Sequence, residues 1–431
     1  MTMKFTKIAV AAVFAFAYGN AYAFHSGGVA ECNGCHTMHN SLEGVAADAD
    51  LAQFSAGPFL LKGTDQSSAC LNCHSGPLQQ SYHVATYPAA AVGVAPVNMT
   101  PGGDFDYVKK TYTWSPRAGT TETSLNDRHG HNIVAADFGF GPDAILTVAP
   151  GGSYPAATLG CQSCHDPHGK FRRFADGSIS NGQAEPTLPI RGSGSYFTSA
   201  DPITDIYAVG VYRLLGGIGY QPKSLAGAYS FGNTVPAAVA PSSYNRSEVA
   251  TQTKVAYGAN MSEWCANCHT QIHQVGYTSG TAGLTHPSGN SEVLDSFIVS
   301  NYNMYVKTGD LTGTVATAWN SLIPFEEGST DYVVLKGKVA DLTGPESGTE
   351  NVMCVSCHRV HASAFDSMLR FSLGYEFMTG GDAAGVPSYT TSVATAQGKT
   401  QTEAESAYYG RPATAFAPYQ RALCNKCHVK D

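Results

Sequence analysis

Charged side chains are scarce in this chain of 431 residues. Asp, Glu, Lys and Arg together make up 13% of it, against a usual ~25% in globular domains. Basic residues are also outnumbered, with 25 Lys and Arg against 33 Asp and Glu. Binding to nucleic acid depends on clustered positive charge, so this balance argues against such a partner. The 46 glycines and 22 prolines favour turns and irregular chain.

Long apolar runs are missing as well. The run from Ile8 to Ala17 is about ten residues, too short for a bilayer that takes ~20. Two lysines precede it and Ala-Tyr-Ala follows it at 21–23, which is typical of a secretory signal peptide and its cleavage site. We predict a signal peptide over 1–23 and a single exported domain over 24–431, without a membrane span. Losing the two lysines takes the net charge from −8 to −10.

Recognisable catalytic loops are also lacking: we find no GxGxxG, no phosphate-binding Walker loop and no Ser/His/Asp set. No cysteine is left over, because all twelve belong to six CxxCH motifs. Twelve cysteines in an exported protein would first suggest six disulfides, but the constant spacing and the histidine after each pair indicate another role. In chain order, motifs 1 to 6 are Cys32-Asn-Gly-Cys35-His36, Cys70-Leu-Asn-Cys73-His74, Cys161-Gln-Ser-Cys164-His165, Cys265-Ala-Asn-Cys268-His269, Cys354-Val-Ser-Cys357-His358 and Cys424-Asn-Lys-Cys427-His428.

CxxCH is the attachment sequence of c-type haem. Two intervening residues put the thiols on adjacent turns of a short helix, where they can add to the two vinyl groups of one porphyrin edge. The histidine that follows then reaches the iron. A single copy could be a zinc knuckle or a redox dithiol, but structural zinc sites do not require a histidine after each CxxC. Six copies therefore predict six covalently bound c-type haems, with the motif histidines as proximal iron ligands.

Six haems change the expected fold. Their faces add a large apolar surface, so porphyrin should form much of the core in place of long helices and sheets. We therefore predict a multihaem c-type cytochrome, mostly irregular coil with short helices and few short strands, wrapped around a haem chain.

Nine histidines remain for the distal face of the irons. One group of three follows a motif histidine by three residues, a spacing at which the ring can cap a neighbouring haem. A second group of three lies in loops between motifs. The predicted distal ligands are His39, His168 and His361 from the first group and His83, His131 and His286 from the second. His273 and His25 are further candidates, and His129 is passed over because it lies two residues from His131.

Methionine is the alternative distal ligand. Met38, Met99, Met261 and Met353 lie near motifs, and His/Met ligation would raise the reduction potential. Because histidines are in surplus, bis-His ligation of all six haems is the simpler interpretation. An iron clasped by two imidazoles is closed to substrate, which favours electron transfer over catalysis.

Haem motifs lie close to both ends of the predicted mature chain. His36 comes twelve residues after Phe24, and His428 comes three before Asp431. Two such ends could meet between molecules, and a head-to-tail contact that does not close makes a filament. His39 is the candidate for a ligand lent across that contact.

Several stretches resemble the outer-surface hexahaem c-type cytochromes of Geobacter: "FHSGGVAECNGCHTMHNS", "CHDPHGKFRRFADGS", "GYQPKSL", "MSEWCANCHTQIH" and "APYQRALCNKCH". The resemblance covers the whole mature chain. It implies an extracellular filament of closely stacked haems that carries electrons to metal oxides, electrodes or partner cells, with other multihaem cytochromes as partners. It also implies that His39 ligates a haem of the neighbouring subunit.

Three alternatives remain open from the residues alone. The first is a monomeric periplasmic or outer-surface electron shuttle. The second is a multihaem reductase with one open haem. The third is a structural fibre whose haems only hold the fold together.

Overall fold

The computed structural model describes residues 32–37, 41–42, 45–46, 58–76, 83–180, 188–194, 196–225, 227–241, 253–271, 287–304, 323–341, 343–346 and 348–428. The predicted signal peptide lies outside the described residues, and so do four of the candidate ligands, His25, His39, His273 and His286. All six CxxCH motifs lie within them.

The helices are short throughout the described chain, and the longest span nine residues. The α-helices are α1 (Cys32–Cys35), α2 (Gln66–His74), α3 (Met261–Cys265), α4 (Ser296–Met304), α5 (Tyr332–Lys338), α6 (Cys354–Cys357), α7 (Val393–Ala396) and α8 (Gln401–Ala407). Single 3₁₀ turns occupy Pro58–Leu60, Phe105–Lys109, Asn126–His129, Ala136–Phe138, Ala156–Thr158, Cys161–Ser163, Tyr212–Leu214, Lys223–Leu225, Asp366–Met368, Ala413–Ala415 and Leu423–Lys426. The first cysteine of every motif therefore lies in a short helix, and in motif 4 the helix ends at that cysteine.

The strands are two to four residues long and form two-stranded antiparallel ladders. In chain order they are β1 (Ser41–Leu42), β2 (Val45–Ala46), β3 (Tyr112–Trp114), β4 (Glu122–Ser124), β5 (Arg172–Arg173), β6 (Val209–Gly210), β7 (Ala237–Val239), β8 (Ala256–Ala259), β9 (Gly380–Gly381) and β10 (Pro387–Ser388). Each odd-numbered strand pairs with the next strand in the chain. The predicted architecture of mostly irregular coil with short elements is confirmed.

The buried carboxylate of Asp104 supplies hydrogen-bond acceptors that a β-sheet would supply in a more regular fold. Asp104, with no exposed surface, accepts hydrogen bonds from the backbone N–H groups of Thr86 (2.8 Å), Asn98 (3.1 Å) and Asp106 (2.9 Å). The Thr86 hydroxyl (2.5 Å) and the Asn98 amide (3.0 Å) donate to it too. One side chain thus supplies acceptors to three turns of irregular backbone between motifs 2 and 3, where buried N–H groups must find partners.

Two large apolar clusters border the haem motifs. The first packs Leu71 of α2 with aromatic residues such as Phe105 and Tyr302, and partly buried Cys161 and Cys424 lie against it. In the second cluster, aromatic and aliphatic side chains pack against motifs 3 and 4. Among the described residues, no helix is both long enough and apolar enough to cross a membrane.

Replacing Asp104 with alanine should destabilise the protein strongly, because five hydrogen-bond donors lose their acceptor in a buried site. We expect the free energy of unfolding to fall by about 3 kcal/mol, measured by urea denaturation of the haem-loaded protein. Asp382 is the matched control, since it accepts from two backbone N–H groups in an exposed turn. Asp382→Ala should cost less than about 1 kcal/mol, and equal losses would contradict the assignment.

Candidate haem sites and axial ligands

The motif helices pack in two equivalent pairs, motif 2 with motif 3 and motif 4 with motif 5. In the first pair the Ser67 hydroxyl accepts from the Cys161 N–H at 3.1 Å, and in the second the Ser262 hydroxyl accepts from the Cys354 N–H at 3.0 Å. Each serine lies three residues before the first cysteine of its own motif. The first cysteines also lie within hydrogen-bonding distance of one another, Cys70 with Cys161 and Cys265 with Cys354. The haem attachment points of each pair are therefore neighbours.

Four motif histidines are anchored through Nδ1 to backbone carbonyls. Because a carbonyl oxygen only accepts, Nδ1 carries the proton and Nε2 keeps the lone pair that can bind iron. The bonds run from His36 to Phe59 (3.0 Å), from His165 to Arg213 (2.8 Å), from His269 to Pro150 (2.7 Å) and from His358 to Ser367 (2.7 Å). The fold thus sets both the tautomer and the direction of each ring.

The odd-numbered motifs share one local structure. The residues whose carbonyls accept the imidazole hydrogen bond, Phe59, Arg213 and Ser367, have φ of 59°, 51° and 58°, and the residue after each is also left-handed. This conformation costs a non-glycine residue about 1–2 kcal/mol, and here it turns the carbonyl toward the imidazole. The residue after each motif histidine closes the turn by donating its N–H at 2.7 Å, Thr37 to Leu60, Asp166 to Leu214 and Arg359 to Met368.

Sequence reasoning missed these turns. Their signal is a leucine directly after the left-handed pair, at positions 61, 215 and 369, within "FLLK", "RLLG" and "SMLR". Each of these leucines forms an isolated antiparallel bridge with its motif histidine. The distance along the chain from histidine to leucine differs in all three cases, so no fixed spacing reveals the relation.

Two histidine pairs have the separation expected of ligands to one iron. Metal–nitrogen bonds of about 2.0 Å on each side place the two imidazole centres about 6.3 Å apart. The rings of His36 and His168 lie 6.4 Å apart with planes at 13°, and those of His131 and His269 lie 6.2 Å apart. Nδ1 of His131 donates to the Val360 carbonyl at 2.7 Å, so this ring is anchored like the motif histidines.

His83 and His361 lie near two other motif histidines. The backbone next to His83 lies against motif 2, because the Val84 N–H donates to the His74 carbonyl at 2.9 Å. Burial and then His74 lower the pKa of His83, while burial and then His165 lower the pKa of His361 to about 3. Both rings are therefore neutral, the form that binds metal. Their buried Nδ1 atoms have no hydrogen-bond partner within the described structure.

Glycines allow the backbone to approach these ligands closely. A Cβ on Gly102 would lie 2.7 Å from Nδ1 of His361, and one on Gly103 would overlap the Ala362 carbonyl oxygen. The His131 N–H donates to the His361 carbonyl at 3.0 Å. One backbone junction thus holds candidate ligands for two different irons.

His129 has a structural position. It is completely buried, its Nε2 lies 2.6 Å from the Ser124 hydroxyl, and its Nδ1 lies 3.1 Å from the Tyr107 carbonyl. Both ring nitrogens are therefore engaged by the protein. This arrangement differs from that of His131, where only Nδ1 is anchored to a carbonyl.

Paired cysteines, fixed imidazole tautomers and imidazole spacings all fit covalent haem, and with the fold they define a multihaem c-type cytochrome. No protein-family model matches the chain. It is 58% identical to the C-type cytochrome OmcS of Geobacter sulfurreducens, over 100% of this chain and 99% of that protein. Cryo-EM structures of the OmcS nanowires and of the Outer Membrane Cytochrome S filament from the same organism match with a TM-score of 0.85, covering 95% of this chain and 100% of theirs.

The chain therefore belongs to the OmcS family of c-type cytochromes, electron-transfer proteins that carry covalent haem. The resemblance stated from the sequence is confirmed. The prediction of covalently bound haem is confirmed as well. The number of haems and the identity of their distal ligands stay predictions.

Replacing His131 with alanine should leave one haem iron, that of motif 4, with a single imidazole. We expect one high-spin haem per chain in the visible and electron paramagnetic resonance spectra, with the others low-spin. His129→Gln is the matched control two residues away, and it should leave every haem low-spin because both ring nitrogens of His129 bond to protein. The assignment is wrong if the two variants give the same spectrum.

Proposed function

We propose that this protein carries electrons outside the cell through six covalently bound bis-His haems, as a head-to-tail polymer of one chain. The solved relatives at 58% identity are described as nanowires and as a filament, which supports polymerisation here. We further propose export through the signal peptide at 1–23 and a single domain over 24–431 at the outer cell surface. Metal oxides, electrodes, partner cells and other multihaem cytochromes are the proposed acceptors.

A regular offset of two motifs carries the proposal. His168, three residues after the histidine of motif 3, faces His36 of motif 1. His361, in the same position of motif 5, lies close enough to His165 of motif 3 for that ring to lower its pKa, after burial. In both cases the second histidine of an odd motif lies near the motif histidine two motifs earlier.

The same offset gives His39 a role between subunits. His39 follows motif 1 at the same three-residue spacing, and motif 1 shares the left-handed turn of motifs 3 and 5 through Phe59. In a head-to-tail array, motif 1 of one copy follows motif 6 of the copy before it. Two motifs back is then motif 5, so we propose that His39 ligates the haem of His358 in the neighbouring copy.

The even-numbered haems take their distal ligands from loops. We propose His83 for the haem of motif 2, His131 for motif 4 and His286 for motif 6, with His273 and His25 as further candidates. Haem bound in this way supplies reversible one-electron chemistry, and the chain's own residues hold both imidazoles neutral and oriented. The protein is accordingly an electron carrier with no dedicated substrate site.

Replacing His39 with alanine should separate the filament into protomers that each contain one high-spin haem. Electron microscopy of the secreted protein and its electron paramagnetic resonance spectrum measure the two effects. Added imidazole should restore the low-spin spectrum but not the filaments, because free ligand does not join two chains.

His361→Ala is the matched control for His39→Ala. It should also produce one high-spin haem, on motif 3, while filaments persist because both ligands of that iron belong to one chain. Filaments of unchanged length and spectrum after His39→Ala would exclude the proposed ligand exchange.

Bis-His ligation also predicts how the reduced protein responds to carbon monoxide. Ferrous iron with two imidazoles has no open position, so the visible spectrum of the reduced filament should be unchanged by carbon monoxide or nitrite. His131→Ala should gain carbon monoxide binding at one haem per chain. Ready binding at a haem of the unmodified filament would favour a multihaem reductase instead.

A further inference from the structure

Three oxygen-bearing side chains meet beside the helices of motifs 4 and 5. Glu326 and Asn351 exchange two backbone hydrogen bonds, at 3.0 and 2.8 Å, as a directly opposed antiparallel pair. Side chains of such a pair project to the same side, with Cβ atoms about 5 Å apart. Oε1 of Glu326 accepts from the Met261 N–H at 2.6 Å, where α3 begins.

Glu263 completes the group from the first turn of α3. Its Oε1 accepts from the Asn290 N–H at 2.8 Å, and the preceding Gly289 donates to the carbonyl of Val352 at 2.8 Å. Because Val352 follows Asn351, this bond connects the segment that contacts Glu263 to the segment that carries Asn351. Four chain segments therefore converge on one small volume.

Each of the three side chains keeps one oxygen without a hydrogen-bond partner in the described structure. These atoms are Oε2 of Glu263, Oε2 of Glu326 and Oδ1 of Asn351, and all three are buried. Glu326 is 0% exposed and Asn351 is 3% exposed. A buried acceptor without a partner destabilises the folded state, and more so when it is charged.

Within the described residues, no basic side chain pairs with Glu326. Burial and then Glu263 raise its pKa to about 7, opposed chiefly by the Met261 N–H. The adjacent Glu327 differs, since Lys254 lies 3.5 Å and Lys338 lies 3.4 Å from its carboxylate oxygens. The chain thus pairs one of two consecutive glutamates with lysines and leaves the other without a basic partner in the described structure.

We propose that Glu263, Glu326 and Asn351 form a binding site for a calcium ion. Two carboxylates and an amide oxygen are hard ligands, and Ca²⁺ takes six to eight oxygens in flexible geometry, including backbone carbonyls and water. Mg²⁺ holds its water shell more tightly and suits an enclosed site less well. The ion would join α3 to the segment that leads into α6, linking the two haem-bearing helices independently of how the chains polymerise.

Calcium binding to the haem-loaded protein tests the site directly. After removal of metal with a chelator, isothermal titration with CaCl₂ should show one specific site per chain in the wild type. Glu326→Gln and Asn351→Leu should weaken that site at least tenfold, since each removes a ligand. Glu327→Gln is the matched control and should bind as the wild type does.

Two outcomes would overturn the proposal: no specific calcium site in the wild type, or equal affinity in Glu326→Gln and Glu327→Gln. An infrared band of a protonated carboxyl that Glu326→Gln abolishes would also overturn it, because Glu326 would then donate a proton to Asn351 instead of binding a cation. Should Glu326→Gln fail to fold, as judged by its haem spectrum, Glu263→Gln provides the same comparison from a partly exposed position.

Discussion

The bond from a histidine Nδ1 to a backbone carbonyl is the constraint on which the rest of this structure depends. A hydrogen bond at one imidazole nitrogen fixes the tautomer and direction in which the other nitrogen can bind iron, and for four motif histidines a main-chain oxygen makes that bond. For His165 that oxygen belongs to Arg213, and for His269 it belongs to Pro150. At these four motifs a distant segment must therefore return to the motif histidine, and the irregular chain between the motifs makes these returns possible.

This requirement explains why regular secondary structure is so limited. Long helices and sheets bury apolar surface against one another, whereas here the haem faces and two aromatic clusters take that role. What repeats is the pairing of motifs, in which Ser67 and Ser262 make equivalent bonds to the next motif. The repeated feature of this fold is therefore the contact between paired haem motifs, and not a repeating secondary structure. The left-handed conformation of Phe59 and Arg213 raises the local backbone energy, and it orients the carbonyls that fix the imidazole rings.

The sequence reveals the parts of the haem sites that depend on local spacing and hides those that depend on the folded chain. Both cysteines and the proximal histidine of each motif lie within five residues, so their role can be predicted directly. His168 and His361 were candidates by spacing, but the motif histidines they lie near, His36 and His165, are set by contacts between distant segments. The carbonyl of Ser367 leaves no side-chain signal. In the sequence Glu326 cannot be distinguished from other glutamates, because only the folded structure shows that it is buried and that no described basic side chain pairs with it.

The two-motif offset has a further consequence for assembly. In the proposed ligation, the second histidine of motif 3 completes the haem of motif 1 and that of motif 5 completes the haem of motif 3, so these two iron sites depend on chain that lies after them. Inside one copy, this proposed dependence links the haem sites of motifs 1, 3 and 5. In the proposed ligand exchange the same dependence links subunits across a head-to-tail contact, so that completing an iron site and joining two copies are one equilibrium, in which metal–ligand bonding adds to the surface buried between chains. A filament built in this way needs no separate adhesive device, because the rule that orders haems within a chain also orders chains.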